Sequence, residues 1–358
     1  MFLAIVMPLA GCIDRIAITI PNTELPLVID GLITDEPGPY TVQITRAVAL
    51  DGNLNFRKYV TVKNVTLFDN AGNSEQMQEE EVGIYKTKAN GMRGVAGREY
   101  YIRVEARDGR VYESVPDKMY PVGEVEKVYY EFETFQPVDR PTQHGFRVYA
   151  DARGVPTGSN LFRWKFIGTF EIDGYPALHT RGVEGNPCAP APRSCMNDGP
   201  FGACTCCKCW VSVADPKPRV SDNQFVTNGV FKKVEAGYVP LEYFPFQIRY
   251  RMEVKQMSLS QVAFDFWKTV QSQKEGVGSL FQPPNGKARS NIFEKGGLGE
   301  VQGLFYASAV KTKQIYLNNA DVPIRQQVDR WNCEEGRIAE DCRLAYPNST
   351  TTKPSDWE

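Results

Sequence analysis

Histidine is nearly missing from this chain. Only His144 and His179 occur among 358 residues, which removes most His-ligated metal sites and leaves a Ser/His/acid triad two candidate bases. Net charge is lacking too, with 41 Lys and Arg against 43 Asp and Glu. A formal charge of −2 with no long basic run supplies no field to gather nucleic acid, so no nucleic-acid partner is expected. Long hydrophobic runs are absent. The apolar start, Met1 to Ala10, is broken by Pro8 and stopped by Asp14 and Arg15, far short of the roughly 20 residues that span a bilayer. Catalytic signatures also fail. Gly297-Leu-Gly299-Glu-Val-Gln302 lacks the last glycine of a dinucleotide fingerprint, and Asn285-Gly286-Lys287 lacks the upstream glycine of a phosphate loop. With no G-x-S-x-G elbow, H-E-x-x-H pair or EF-hand loop, the sequence assigns no catalytic residue, no metal ligand and no cofactor.

What is present begins with a targeting signal. The apolar run ends in Leu9-Ala10-Gly11-Cys12, and a segment of that kind belongs outside the fold. Residues 1–11 read as a signal peptide and 12–23 as anchor and linker. Small residues directly before a cysteine resemble the lipobox of bacterial lipoproteins, in which Cys12 becomes the lipid-bearing first residue. The alternative is an ordinary first strand with a chance cysteine.

Cysteine usage agrees with export. Beyond Cys12 stand Cys188, Cys195, Cys204, Cys206, Cys207, Cys209, Cys333 and Cys342, an even set that reads as disulfides in an oxidising compartment. Six of them crowd a Pro/Gly/Ala-rich insertion at 186–210, which has little apolar material and would need covalent staples. A metal reading competes, because Cys204-Thr-Cys-Cys207 and Cys206-Cys-Lys-Cys209 interleave two CxxC pairs suited to zinc or copper(I). Eight cysteines allow about a hundred pairings, of which Cys333 with Cys342 is the easiest local one.

Strand patterns dominate the rest. Tyr40 to Thr45 alternates apolar and polar, following Leu27 to Ile33 across the turn Asp35-Glu-Pro37-Gly38. Tyr100, Ile102, Val104 and Ala106 share one face of a strand that meets the hairpin turn Asp108-Gly109. This spacing predicts an immunoglobulin-like or transthyretin-like β-sandwich over 24–118. A second β-rich domain is expected over 119–346, with its best strands at 128–132, 146–149, 161–166 and 246–250. It carries one amphipathic helix at 259–275, whose stripe is Leu259, Val262, Ala263, Phe266, Trp267 and Val270, with Ser258 and Gln261 as a capping box. Residues 276–303 read as a glycine-rich loop, and 347–358 as a polar, poorly structured tail in which Trp357 can dock. Glu79-Glu80-Glu81 reads as solvated acids rather than an acid–base pair. The aromatics around Tyr129-Tyr130-Phe132 and Tyr243-Phe244-Pro-Phe246 read mainly as core, with stacking on a sugar or partner as the alternative.

The order of features resembles a Bacteroidetes outer-membrane lipoprotein family known as a domain of unknown function. The residues that carry it are Leu9 to Cys12, Leu27 to Tyr40, Cys207-Lys-Cys209-Trp210, Ser258 to Trp267, Gly278 to Phe281, Asn291-Ile292, and the tail with Cys333, Cys342, Lys353-Pro354 and Trp357. The resemblance implies a β-rich protein held at the outer membrane by lipid, on either leaflet, and encoded beside a TonB-dependent receptor. The expected function is therefore an accessory or binding module acting with that receptor in nutrient capture, its ligand unspecified. An exported carboxylate-based hydrolase and metal capture by the cysteine cluster are the alternatives.

Overall fold

The computed structural model describes residues 25–46, 58–136, 141–156, 158–174, 208–221, 226, 229–242, 244–276, 286–297, 299–324, 337–338 and 342–357. The protein is mainly β, with one long helix, Gln261–Gly276. Among the described residues no helix is long and apolar enough to cross a membrane. Cys12, Cys188, Cys195, Cys204, Cys206, Cys207, Cys333 and His179, and the signal and anchor segments, lie outside the described residues.

The N-terminal sandwich is formed by two six-stranded sheets. Strand Leu27–Thr34 pairs with Thr41–Arg46 on one side, and Asn64–Asp69 with Glu99–Glu105 in the facing sheet. The alternation seen in sequence is realised: Tyr100, Ile102 and Val104 are buried and their neighbours are not. Ile29, Val42 and Ile44 meet Val65, Leu67 and Ile102 in one core. Glu79 to Glu81 lie on an exposed edge strand, where Glu79 accepts the Gly83 N–H and Glu80 pairs with Lys86.

The sandwich expected over 24–118 is completed from far along the chain. Strand Val301–Ser308 runs parallel to Leu27–Thr34 in unbroken register, and Ile292–Glu294 pairs with Val111–Ser114. The stretch 276–303 is thus not all loop. Close backbone approach explains Gly303: its φ is +120°, and a Cβ there would sit 2.0 Å from the carbonyl oxygen of Ile29.

The second unit faces a three-stranded sheet, Val125–Phe135, Gln143–Arg153 and Val230–Pro240, against a seven-stranded one built on Phe162–Gly174 and Arg249–Ser258. Phe146, Val148, Trp164, Phe166, Phe170 and Met252 fill the space between. The strand expected at 246–250 begins later, at Arg249, because Phe244–Phe246 forms a 3-10 turn that drops Phe246 into this core. Glu133, Arg147, Glu235, Arg219 and Asp215 form a chain of ion pairs from one sheet to the other.

One length of chain belongs to both units. After Ser308 the backbone passes through Ala309 directly into Val310–Asn318, the neighbour of Arg249–Ser258 in the seven-stranded sheet. The helix lies over this joint, where Leu259 just ahead of it and its own Ala263 and Phe264 are buried against Leu304 and Tyr306. Its cap differs from the expected one. Ser260 accepts the Ala263 N–H, whereas the Ser258 hydroxyl donates to the Tyr120 carbonyl and accepts from the Ala309 N–H. Val262, placed on the apolar stripe in sequence, is 47% exposed, and Phe264 is buried instead.

The polar tail is docked. Ser349–Thr350 pairs with Lys208–Ala214, and Trp357 is buried between Trp210 and Tyr316. Cys342 is disulfide-bonded to Cys209, with Cα atoms 6.1 Å apart, so the local pairing with Cys333 is not made. The same bond withdraws Cys209 from the CxxC pair it would form with Cys206.

Candidate functional site

A cleft of about 760 Å³ opens between the helix and the second unit. The helix supplies Phe264, Lys268, Gln271, Ser272 and Glu275, spaced at three and four residues and hence aligned along one face. Strand Arg219–Ser221 contributes Val220 and Ser221, while Val230–Pro240 contributes Val230, Phe231, Lys232 and Val234. The volume falls in the range of small-molecule sites.

The floor is apolar and the rim is charged. Phe231 and Phe264 are buried, with Val220, Val226 and Val234 partly covered beside them. Gln271 fixes the helix to the floor, accepting the Val220 N–H at 2.9 Å and donating to Glu275 at 3.1 Å. Lys268 lies 5.2 Å above the Phe264 ring. Lys232 pairs with Asp151 at 3.1 Å and Glu126 at 3.5 Å, and the Asp151 bond holds its ammonium above the usual lysine value. Two lysines therefore frame an apolar pit, and among the described lining residues Glu275, 3.3 Å from Lys217, is the one carboxylate. A recess with such a floor has room for the apolar part of a small amphipathic molecule.

Among the described residues a carboxyl group of strongly altered acidity lies elsewhere. Burial pushes Asp117 up to about 6, and the nearby charge of Glu99 adds to this. Both oxygens are engaged at the joint: Oδ1 accepts from Ser260 Oγ at 2.5 Å and Oδ2 from the Ala307 N–H at 2.9 Å. Asp117 is 3% exposed, so its shift reflects a structural role and not contact with a substrate. His144 sits on strand Gln143–Arg153, hydrogen-bonded to Thr134 and stacked on Phe132. Sequence reading missed the cleft, because its lining comes from separate segments with no shared local pattern. A hint was available in Phe264, Lys268 and Gln271, which repeat along one helix face.

Two sandwiches welded through a common chain and a helix-covered cleft describe a rigid β scaffold with a ligand-sized recess. The chain belongs to the family described as "Domain of unknown function (DUF4249)", whose match covers residues 13–314 and so takes in the N-terminal sandwich, the joint and the second unit as far as the middle of Val310–Asn318. None of the curated proteins matches it.

Proposed function

We propose that the protein is a lipid-anchored accessory or binding module of the bacterial outer membrane, acting with a TonB-dependent receptor to retain or present cargo. The observation that carries this reading is the cleft: an apolar floor with two lysines at its mouth is suited to holding a molecule. The joint supports it, since a frame fixed by Asp117, Ser258 and Ser260 keeps such a recess in shape. The Leu9-Ala-Gly-Cys12 motif supplies the proposed attachment, and stable attachment calls for more than one acyl chain.

Gentle detergent extraction followed by pull-down on a tag after Glu358 tests the partnership. Co-recovery of the receptor is expected, and recovery of the protein alone from cells rich in that receptor counts against it. Cys12→Ser should release the protein from membranes; unchanged partitioning removes the anchor. Turnover of a glycan or peptide by the purified protein, lost on changing a carboxylate, would transfer the case to the hydrolase.

A further inference from the structure

The outer face of the seven-stranded sheet carries a patch of charge with one member left over. Residues 163, 165, 167 and 169 alternate with the core positions Trp164, Phe166 and Phe170, so they point away from the core. Lys165 stands directly across from Lys255, and Arg163 across from Met257. Lys255 is occupied: its ammonium bridges both Glu36 oxygens at 2.8 and 2.9 Å and lies 3.8 Å from Glu253. The charges acting on Lys165 are Arg163, Lys255, Glu36 and Glu253. Of these two carboxylates Glu36 is bonded to Lys255, and Glu253 lies 3.8 Å from Lys255 and 3.8 Å from Arg251.

Lys165 itself makes no hydrogen bond and no ion pair with any described residue, although it is half-buried. Burial, with Arg163 and Lys255 adding to it, holds its ammonium below the usual lysine range. Glu36 and Glu253 act on it from a distance but neither pairs with it, and an ammonium kept half-buried without a direct ion pair is costly. Arg163 is rigidly placed beside it. Its guanidinium stacks 3.6 Å from the centre of the Trp267 ring, and Nη1 donates to the Tyr306 hydroxyl at 2.7 Å. Nε is sealed from solvent. The remaining nitrogen, Nη2, makes no hydrogen bond to a described residue.

We propose that Lys165 Nζ and Arg163 Nη2 form a binding site for the phosphoryl group of a phosphate monoester. Charge complementarity selects an anion, and the geometry selects its kind. A carboxylate is best held by a two-nitrogen guanidinium fork, and Arg163 has committed Nη1 to Tyr306 and buried Nε. One guanidinium nitrogen and one mobile ammonium suit a tetrahedral group whose several oxygens point in different directions. The site is separate from the cleft and does not depend on the accessory reading above.

The test is a phosphate titration of the whole protein at fixed ionic strength, with chloride as the balancing salt. Calorimetry should show saturable millimolar binding to the wild type and at least about tenfold weaker binding to Lys165→Met. Thermal shift should rise with phosphate for the wild type only. Lys165 pairs with no described residue and its burial disfavours the charge, so Lys165→Met should equal or exceed the wild-type Tm in chloride, and Lys165→Arg should retain binding. Should the Met variant not fold, the side-chain resonance of Lys165 in the methylated wild type provides a second readout and should move with phosphate. No saturation in the wild type, equal affinity in Lys165→Met, or an unmoved Lys165 resonance overturns the proposal. Vesicles of phosphatidylcholine with and without phosphatidic acid separate the sources. Lys165-dependent binding only to the acidic vesicles assigns a lipid headgroup, and phosphate binding without vesicle binding assigns a soluble monoester.

Discussion

Ala307 donates its backbone N–H to Oδ2 of Asp117 at 2.9 Å, across 190 positions of sequence. The bond is one of three of a kind. Val301–Ser308 is the edge strand of its sheet, and the outward N–H groups at Phe305, Ala307 and Ala309 are taken by the side chains of Asn291, Asp117 and Ser258. Side chains thus replace the neighbour strand that an open edge would otherwise recruit from another molecule.

Asp117 gives stability a pH dependence of definite sign. Its folded pKa, about 6, lies above the ordinary 3.8, so the folded state binds the proton more tightly. The stabilisation is complete below about pH 4 and is lost as pH rises through 6, amounting to about 3 kcal/mol. Asp117→Asn should remove this component. Urea denaturation from pH 4 to pH 7 should show the variant gaining on the wild type by that amount, and parallel curves would refute the assignment.

Gly303→Ala should be among the most damaging single-methyl changes. The added Cβ meets the Ile29 carbonyl and the φ of +120° adds strain, for a loss of about 3 kcal/mol or more. Gly72, with φ of +86° but open space around it, is the control. Alanine there should cost only the backbone term of about 1–2 kcal/mol. Equal losses in chemical denaturation would show that the contact with Ile29 does not matter.

The Cys209–Cys342 bond closes a sequence separation of 133 residues. Replacing both cysteines by alanine should lower stability by about 2–5 kcal/mol. Non-reducing peptide mapping of the wild type should join the two peptides that contain Cys209 and Cys342. A map that joins Cys342 to another cysteine would displace this pairing.

Trp357 anchors the C-terminal segment. Its ring meets Tyr316 at 5.5 Å and Trp210 at 6.5 Å, Arg251 lies 5.6 Å from it, and Nε1 donates to Glu171 at 3.3 Å. Trp357→Ala should cost about 3 kcal/mol. Hydrogen exchange should report first at Ser349–Thr350, the short strand held beside it. Unchanged protection there would mean that the strand holds itself.

What was legible in the sequence follows from which faces are wet. Glu99–Glu105 has one buried and one solvated face, so its side chains alternate and the strand could be read directly. Val301–Ser308 is buried on both faces, by Phe305 and Ala307 toward the sandwich and by Leu304 and Tyr306 toward the helix. Its sequence therefore shows no alternation, and Gly303 in its middle mimics a loop. The cap was misplaced because Ser258, with Gln261 three residues on, fits a capping box better than Ser260 does; the tertiary bond from the Ala309 N–H instead assigns Ser258 to the joint. The position of Lys165 shows no sequence pattern, since which charges it meets is a property of the folded face alone.

The chain that passes from Val301–Ser308 into Val310–Asn318 also determines how the molecule carries a load. Tension entering ahead of Leu27 runs along Leu27–Thr34, whose hydrogen bonds to both neighbours lie across the direction of pull. Those bonds are sheared together rather than peeled apart one by one. The load then moves through the parallel neighbour and Ala309 into the seven-stranded sheet, with no flexible connector on the way. Under traction from its N-terminal side, the pair of sandwiches should yield as a single body.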